Sequence, residues 1–313
     1  MQKIIFSTLL TVSLSLLQAQ ETVLPAKEQK GSFYLTNATI HIGNGKVIQN
    51  GTIKVTNGKI EAVGDNIAVP AGADNVTNLK GQDLYPGLIL PSSTLGLNEI
   101  SSVRATQDAR EIGEMNPSVR SIVAYNSDSK VINTLRSNGI LLANVVPQGN
   151  FVAGTSSVVQ LDAWNWEDAA YKTDAGLHVY MPSLLPRPSF GGRGGGFGMG
   201  NFGAQGGDPV KEGLEKMEGL KTFFREAKAY QQLTDRKATN LKFEAVKDLF
   251  EKKQKLYMHA TTAKQILVAL DFVKEFGFDM VIVGGSESYQ VADLLKQHDV
   301  SVILQQPHSL PTA

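Results

Sequence analysis

Residues 256–304, LYMHATTAKQILVALDFVKEFGFDMVIVGGSESYQVADLLKQHDVSVIL, decide the fold class. The stretch contains three short apolar runs with the composition of buried strands. These runs are residues 256–259, 279–283 and 300–304. The segments between them, residues 262–276 and 287–297, have helical patterns. Strands that alternate with helices of this length indicate right-handed βαβ units, and therefore an α/β fold with a parallel sheet or barrel.

The first part of the chain has a different pattern. Residues 32–84 form short β segments separated by turn signals. Residues 51–55 (GTIKV) alternate with period two and stop at Asn57-Gly58, a strong signal for a type I′ hairpin. Residues 59–63 (KIEAV) follow as the return strand. This region predicts a small antiparallel sheet, which is too small to be stable without a neighbouring domain.

Composition and charge limit the class of protein. Hydrophobic residues make up 42% of the chain and charged residues 19%, as in an ordinary globular protein. The 30 basic and 30 acidic residues balance, which argues against a nucleic-acid partner because such a surface needs clustered Lys and Arg. There is no Cys, so the chain has neither disulfides nor a Cys-linked lipid anchor.

Residues 1–20 have the pattern of a cleavable signal peptide. A single charge, Lys3, precedes the apolar residues 4–17, and small Ala19 lies at a plausible cleavage position. The run is shorter than the ~20 residues that a membrane span needs, although an uncleaved anchor stays open. The segment therefore predicts a secreted or periplasmic protein with no membrane span after cleavage.

Two further segments lack regular patterns. Residues 21–31 are polar and predict a disordered lead-in. Residues 191–207 contain ten glycines, so residues 187–209 are expected to form a flexible insertion in the second domain. No apolar strand leads directly into the glycines and no Lys-Ser or Lys-Thr pair follows them, so a glycine-rich flap beside a binding cleft is favoured over a phosphate-binding loop.

Residues 37–90 resemble the amidohydrolase superfamily, specifically the secreted branch related to imidazolonepropionase. The resemblance rests on ATI at 38–40, NGTI at 50–53, NGKIEAVG at 57–64, VP at 69–70 and DLYPGLI at 83–89. It implies that residues 32–85 belong to a small β-sandwich and that residues 86–313 form a (β/α)₈ TIM-like barrel. Residues 86–313 are fewer than the ~250 that such a barrel usually takes, so the barrel is expected to be incomplete, with strands through about the seventh.

The resemblance also implies a chemistry. The family hydrolyses carbon–nitrogen bonds other than peptide bonds, for example in cyclic amides, with water activated by a divalent metal at the barrel mouth. Family members carry two His after the first barrel strand, where Ser92 and Thr94 stand here. The His of the fifth strand is matched by His259, whereas the sixth-strand His falls near Gly284. His259 is therefore the expected metal ligand, with zinc the most suitable metal, and a site without metal stays open.

Two more residues are candidates for contact with a small-molecule substrate. His308 follows the last strand and Glu287 follows a strand end, where barrel enzymes place their functional residues. Glu287 has an ordinary alternative, namely a first-turn acid that the helix dipole favours. The acidic residues 108–114 are more typical of a solvated helix face than of a catalytic pair.

Two functions follow from the sequence. The first is a secreted amidohydrolase-like hydrolase with a reduced metal site. The second is a non-catalytic barrel that binds a small molecule after losing its metal ligands, because shared fold does not fix function. The sequence does not predict an oligomeric state.

Overall fold

The chain divides into two compact units. The computed structural model describes residues 25–73, 75–186, 208–233 and 238–305. Unit 1 is Met1–Gly87 and unit 2 is Leu88–Ala313. The signal-like residues 1–20, most of the glycine-rich segment and His308 lie outside the described residues.

Unit 1 contains one sheet of five strands. The strands are β1 (Ser32–His41), β2 (Val47–Thr56), β3 (Lys59–Gly64), β4 (Val76–Asn78) and β5 (Asp83–Leu84). Asn57 and Gly58 have φ angles of 50° and 74°, as the predicted type I′ turn between β2 and β3 requires. The sheet is mixed rather than antiparallel throughout, because β4 and β5 pair in parallel with β1. The described residues of this unit form a single sheet and no second layer of a sandwich.

Unit 2 contains a seven-stranded sheet whose spatial order follows the chain. The strands are β6 (Leu88–Ser93), β7 (Ile140–Val145), β8 (Val152–Gln160), β9 (Ala170–Tyr180), β10 (Lys255–Ala260), β11 (Met280–Gly284) and β12 (Ser301–Leu304). The Gln305 amide lies 3.5 Å from the Ser92 hydroxyl, so the two edge strands approach each other at their carboxyl ends. The sheet is therefore curled into a nearly closed barrel.

One strand departs from the all-parallel pattern that the sequence predicts. Strand β8 runs antiparallel to both β7 and β9, whereas β6–β7 and β9–β12 are parallel pairs. Connection length explains the difference. Residues 146–151 and 161–169 are too few for a crossover with a packed helix, and connections this short join antiparallel neighbours.

Helices pack around this sheet. They are α1 (Lys130–Ser137), α2 (Trp166–Ala169), α3 (Pro209–Gln232), α4 (Leu241–Glu244), α5 (Lys247–Phe250), α6 (Ala263–Phe276) and α7 (Ala292–Gln297), with 3₁₀ turns at Arg104–Thr106, Ser121–Ala124 and Ser288–Val291. Helix α6 starts with a capping box between Thr262 and Gln265 and ends at Gly277, whose φ is 71°. Within the described ranges, no helix is long and apolar enough to cross a bilayer.

The main core of unit 2 fixes the wall of the barrel. The outward side chains of β9, β10 and β11 pack against α3 and α6. Phe224 of α3 is fully buried at the centre of this cluster. Its ring contacts five others, those of Phe223, Phe250, Phe272, Phe276 and Phe278, at centroid distances of 5.1–6.2 Å. Strands β9 and β10 are therefore held from outside by a dense aromatic layer.

Phe224→Ala should destabilise unit 2 by roughly 3–5 kcal/mol, because it opens a cavity in that layer. Denaturant unfolding can be followed by the fluorescence of Trp164 and Trp166, since both tryptophans of the chain lie in unit 2. Leu214→Ala is the matched control, because Leu214 lies on the same helix and is 44% exposed. Equal losses in the two variants would contradict this description of the core.

Candidate active site

The candidate site is built from the inner faces of β9 and β10. The two strands pair in parallel, with Tyr257 opposite His178 and His259 opposite Tyr180. Because side chains alternate along a strand, these four rings face away from the aromatic layer while Leu177 and its neighbours face it. The rings form two stacked pairs, with centroid distances of 4.6 Å between His178 and Tyr257 and 3.9 Å between Tyr180 and His259. The two histidine rings that join the pairs are tilted by 49°.

A glycine makes the start of the stack possible. Gly176 lies on β9 one inward position before His178. A Cβ atom at Gly176 would lie 2.1 Å from Cε2 of Tyr257, so only glycine lets the tyrosine ring lie against this strand. The Tyr257 ring is therefore seated by the backbone of β9 as well as by His178.

The two histidines are joined by a hydrogen bond. His178 Nδ1 and His259 Nε2 are 2.9 Å apart. His178 is fully buried, and its Nε2 has no hydrogen-bond partner among the described residues. His259 is partly exposed and lies next to the carboxyl end of β10. In barrels, functional side chains gather at this end of the strands.

Burial keeps both imidazoles neutral at neutral pH. Burial, with a smaller contribution from neighbouring His259, lowers the pKa of His178 well below its usual range. Burial lowers the pKa of His259 to about 4. Each ring then carries one N–H, so the contact between them contains a single proton.

Tyr180 links the histidines to the loops above them. Its hydroxyl donates a hydrogen bond to the carbonyl oxygen of Pro147 at 3.0 Å. Burial raises the pKa of Tyr180 to about 12, against a smaller opposite effect from the charge of Arg110. The Tyr180 hydroxyl is therefore a neutral donor. Its bond to Pro147 keeps the tyrosine ring stacked on His259.

Pro147 also lines a cleft of about 530 Å³, although none of the four rings does. Its charged lining residues are Arg104, Asp108, Arg110, Glu111 and Arg120, and Ile112 and Val123 add exposed apolar surface. A volume of this size suits a small molecule.

The predicted helix face at residues 108–114 is wrong, because these residues form a loop without helix. Their backbone pairs with other loops and with β8, as Gln148 N donates to Ala109 O and Val152 N to Glu114 O.

The predicted substrate contact Glu287 lies at the start of α6. Its Oε2 accepts a hydrogen bond from Ala263 N at 2.7 Å, and its own N–H donates to Thr261 O. The carboxylate thus satisfies one of the free N–H groups at the beginning of the helix. His308, the other predicted contact, lies outside the described residues.

The described residues do not fit a metal centre of the expected kind. They contain no group of three His, Asp or Glu side chains placed to hold a metal ion. The Nε2 of His259 already faces His178. At the sixth-strand position, Gly284 has a φ of 102°, a conformation that a histidine rarely adopts. We therefore derive no chemical step through a metal.

His178 is a residue of the candidate site that the sequence did not point to. The run LHVYM at residues 177–181 alternates in the manner of a strand, which was a usable signal. The partner of His178, His259, lies 81 positions later, so the pair depends on the register of β9 against β10.

A solved structure shares this architecture. A crystallised amidohydrolase from Thermotoga maritima MSB8 superposes with a TM-score of 0.73 at 24% identity, over 90% of this chain and 72% of that chain. The chain has the fold of that amidohydrolase. An N-acyl-D-glutamate deacylase from Bordetella bronchiseptica, solved with zinc and a phosphonate inhibitor, matches with a TM-score of 0.35 at 12% identity, over 88% of this chain and 58% of that one.

Guanine deaminase from C. acetobutylicum, with bound guanine, gives a TM-score of 0.34 at 9% identity, over 87% of this chain and 67% of the deaminase. No protein-family model matches the chain. No curated protein matches it in sequence either. The agreement with the T. maritima protein therefore establishes the fold alone.

Gly176→Ala should disrupt the ring stack, because the added methyl group collides with Tyr257 and displaces a ring that His178 contacts. We expect a loss of about 2 kcal/mol or more in the free energy of unfolding, as in other overpacked cores. Gly219→Ala is the control: nothing lies within 4 Å of its added methyl, and alanine favours a helix by about 0.5–1 kcal/mol. If both variants gain stability, Gly176 does not seat Tyr257.

The histidine pair should make stability depend on pH. An unfolded histidine binds a proton near pH 6.5, whereas His259 in the folded chain stays neutral down to about pH 4. Below pH 6.5 the unfolded chain therefore binds a proton that the folded chain does not. The free energy of unfolding is unaffected above pH 6.5 and falls by up to ~3 kcal/mol, for this group, as the pH drops toward 4.

The measurement is the free energy of unfolding at pH 7.5, 6, 5 and 4.5 for the native chain and for His259→Gln. The native chain should lose more stability than the variant over this range. His298→Gln, at an exposed histidine, should follow the native curve. Parallel curves for the native chain and His259→Gln would contradict the lowered pKa.

Proposed function

We propose that this chain is an amidohydrolase-type hydrolase that acts on a carbon–nitrogen bond other than a peptide bond in a small molecule. The observation that carries the proposal is the hydrogen-bonded pair of His178 and His259, next to the carboxyl ends of adjacent parallel strands in a barrel with the fold of an amidohydrolase. This end of a barrel is where the loops build active sites. Cyclic amides are the first substrate class to test.

The proposed roles follow from the site's own groups. His259 contacts the substrate through the part of its ring that is not bonded to His178. A neutral imidazole with a pKa of about 4 is a weak base at neutral pH, so its contribution is a positioned hydrogen bond to a polarised oxygen. Arg110 lines the cleft and makes no ion pair within the described part of the chain, so it is proposed to attract an anionic or carbonyl group.

The remaining sequence predictions enter as parts of the same proposal. Glu287 and His308 are proposed substrate contacts, and the second carboxylate oxygen of Glu287 has no partner within the described ranges. Zinc at His259 stays a prediction of the family resemblance, which the local geometry does not support. Export to the periplasm or medium is proposed from residues 1–20 alone.

A second candidate function is a barrel that binds a small molecule without hydrolysing it. The residues at the expected metal positions favour it. Ser92 and Thr94 offer neutral hydroxyls, and Gly284 offers no ligand atom. A site that has exchanged imidazoles for such groups keeps its cleft but lacks the activated water of the metal-dependent mechanism.

The deciding experiment measures hydrolysis and binding in the same panel of cyclic amides and N-acyl amino acids. We expect His259→Ala to lower kcat/KM at least 10²-fold, the usual effect of removing a positioned catalytic group. His298→Ala should leave kcat/KM unchanged, because His298 is exposed at the end of α7. Elemental analysis after dialysis, without a His tag, gives the metal content of the same preparation.

The outcomes separate the two functions. Turnover that depends on His259 supports the hydrolase. Binding of panel members by calorimetry without turnover, in the presence and absence of added zinc, manganese or iron, rejects the hydrolase in favour of the binding barrel. Turnover that survives in His259→Ala would falsify the assignment of the active site.

A further inference from the structure

The contact between the two imidazoles restricts what His259 can bind. Its Nε2 lies 2.9 Å from Nδ1 of His178, and a nitrogen engaged in that bond cannot also coordinate a metal. The other nitrogen, Nδ1, has no partner among the described residues. A ligand can therefore meet His259 only at Nδ1. This restriction holds whichever of the two rings supplies the shared proton.

The burial of His178 decides which ring supplies the proton. Its Nε2 is enclosed and unpartnered in the described structure. If His259 donated, the proton of His178 would sit on this nitrogen as a buried, unpaired N–H. Orphaned N–H groups are rarer in proteins than unpaired acceptors. The favoured state leaves Nε2 bare and puts the proton of His178 on Nδ1, where it is donated to His259.

The tautomer of His259 follows from that of His178. With Nε2 accepting a hydrogen bond, the single proton of a neutral His259 ring resides on Nδ1. The ring is also held flat against Tyr180, which the bond to Pro147 anchors. His178 is thus a positioning residue that acts through His259.

We infer that the His178–His259 pair is a metal-free device that presents Nδ1–H of His259 to an acceptor oxygen of the ligand, such as an amide carbonyl or a carboxylate. The charge of the neighbouring cleft agrees with such a ligand, because Arg110 lines it without an ion pair in the described residues. Asp108 and Glu111 also line this cleft, whose lining includes Pro147 but not His259. The inference concerns the tautomer and the absence of metal, and it applies equally to a hydrolase and to a binding barrel.

The test is long-range ¹H–¹⁵N correlation spectroscopy of the full chain with ¹⁵N-labelled histidine at pH 7.5. His259 should show a protonated, pyrrole-type Nδ1 and a bare, pyridine-type Nε2, and His178 should show the same pattern. Assignment uses His259→Gln and His178→Gln. In His178→Gln, His259 should lose its exclusive Nδ1 protonation, a change that a merely structural role of His178 would not produce. If His178→Gln does not fold, the spectrum of the native chain decides, because a proton on Nε2 of His259 is by itself incompatible with the inferred tautomer.

Zinc titration of the same sample gives a second readout. Zinc chloride up to two equivalents should not shift the ring signals of His178 or His259, while exposed His298 reports weak surface binding. A saturable shift of His259 at one equivalent, or a proton on its Nε2, overturns the inference. Neither readout needs turnover, so a chain with this tautomer and no hydrolysis would refute only the proposed hydrolase.

Discussion

The parallel pairing of β9 with β10 is the interaction on which the site depends. Its register places Tyr257 beside His178 and His259 beside Tyr180, so four rings interleave across two strands. A slip of one residue in either strand would turn that strand's two rings to the opposite face. The register is fixed from both sides, by the aromatic core outside and by the close fit of Tyr257 on Gly176 inside.

The outer core and the inner stack are consequences of the same alternation. On each strand, apolar residues such as Leu256 and Met258 are fully buried against α3 and α6, while the intervening residues face the barrel interior. The outer contacts supply the stability, at roughly 1.5–3 kcal/mol for each large side chain buried. That stability allows the inner face to hold a buried histidine with one nitrogen that has no partner in the described part of the chain, which is unfavourable by about 1–3 kcal/mol.

Local signals predicted the parts of the fold that are determined locally. The Asn57-Gly58 hairpin and the helix between Thr262 and Gly277 each carry their own turn or capping residues, so neither needs information from distant residues. The direction of β8 depended on the lengths of two connections. The sequence pattern alone predicted that β8 is one more strand of a parallel sheet. The His178–His259 contact could not be predicted, because it exists only once β9 and β10 are in register.

The backbone at the end of the sixth barrel strand does not suit the metal ligand that the family resemblance places there. A metal site at a barrel mouth needs ligands from several strands at once, and each ligand needs a backbone that can aim it. At Gly284 the chain turns with a positive φ, and at Gly285 a Cβ would lie 2.6 Å from Val302 Cγ1. Side chains are therefore disfavoured at both positions by the path of the backbone.

A histidine placed there by substitution alone would be strained, so the difference from a metal-binding barrel lies in the backbone as well as in the side chains. The fifth-strand imidazole, His259, is hydrogen-bonded to His178. Among the described residues, the site is a hydrogen-bonded pair of imidazoles whose geometry is set by the register of β9 against β10.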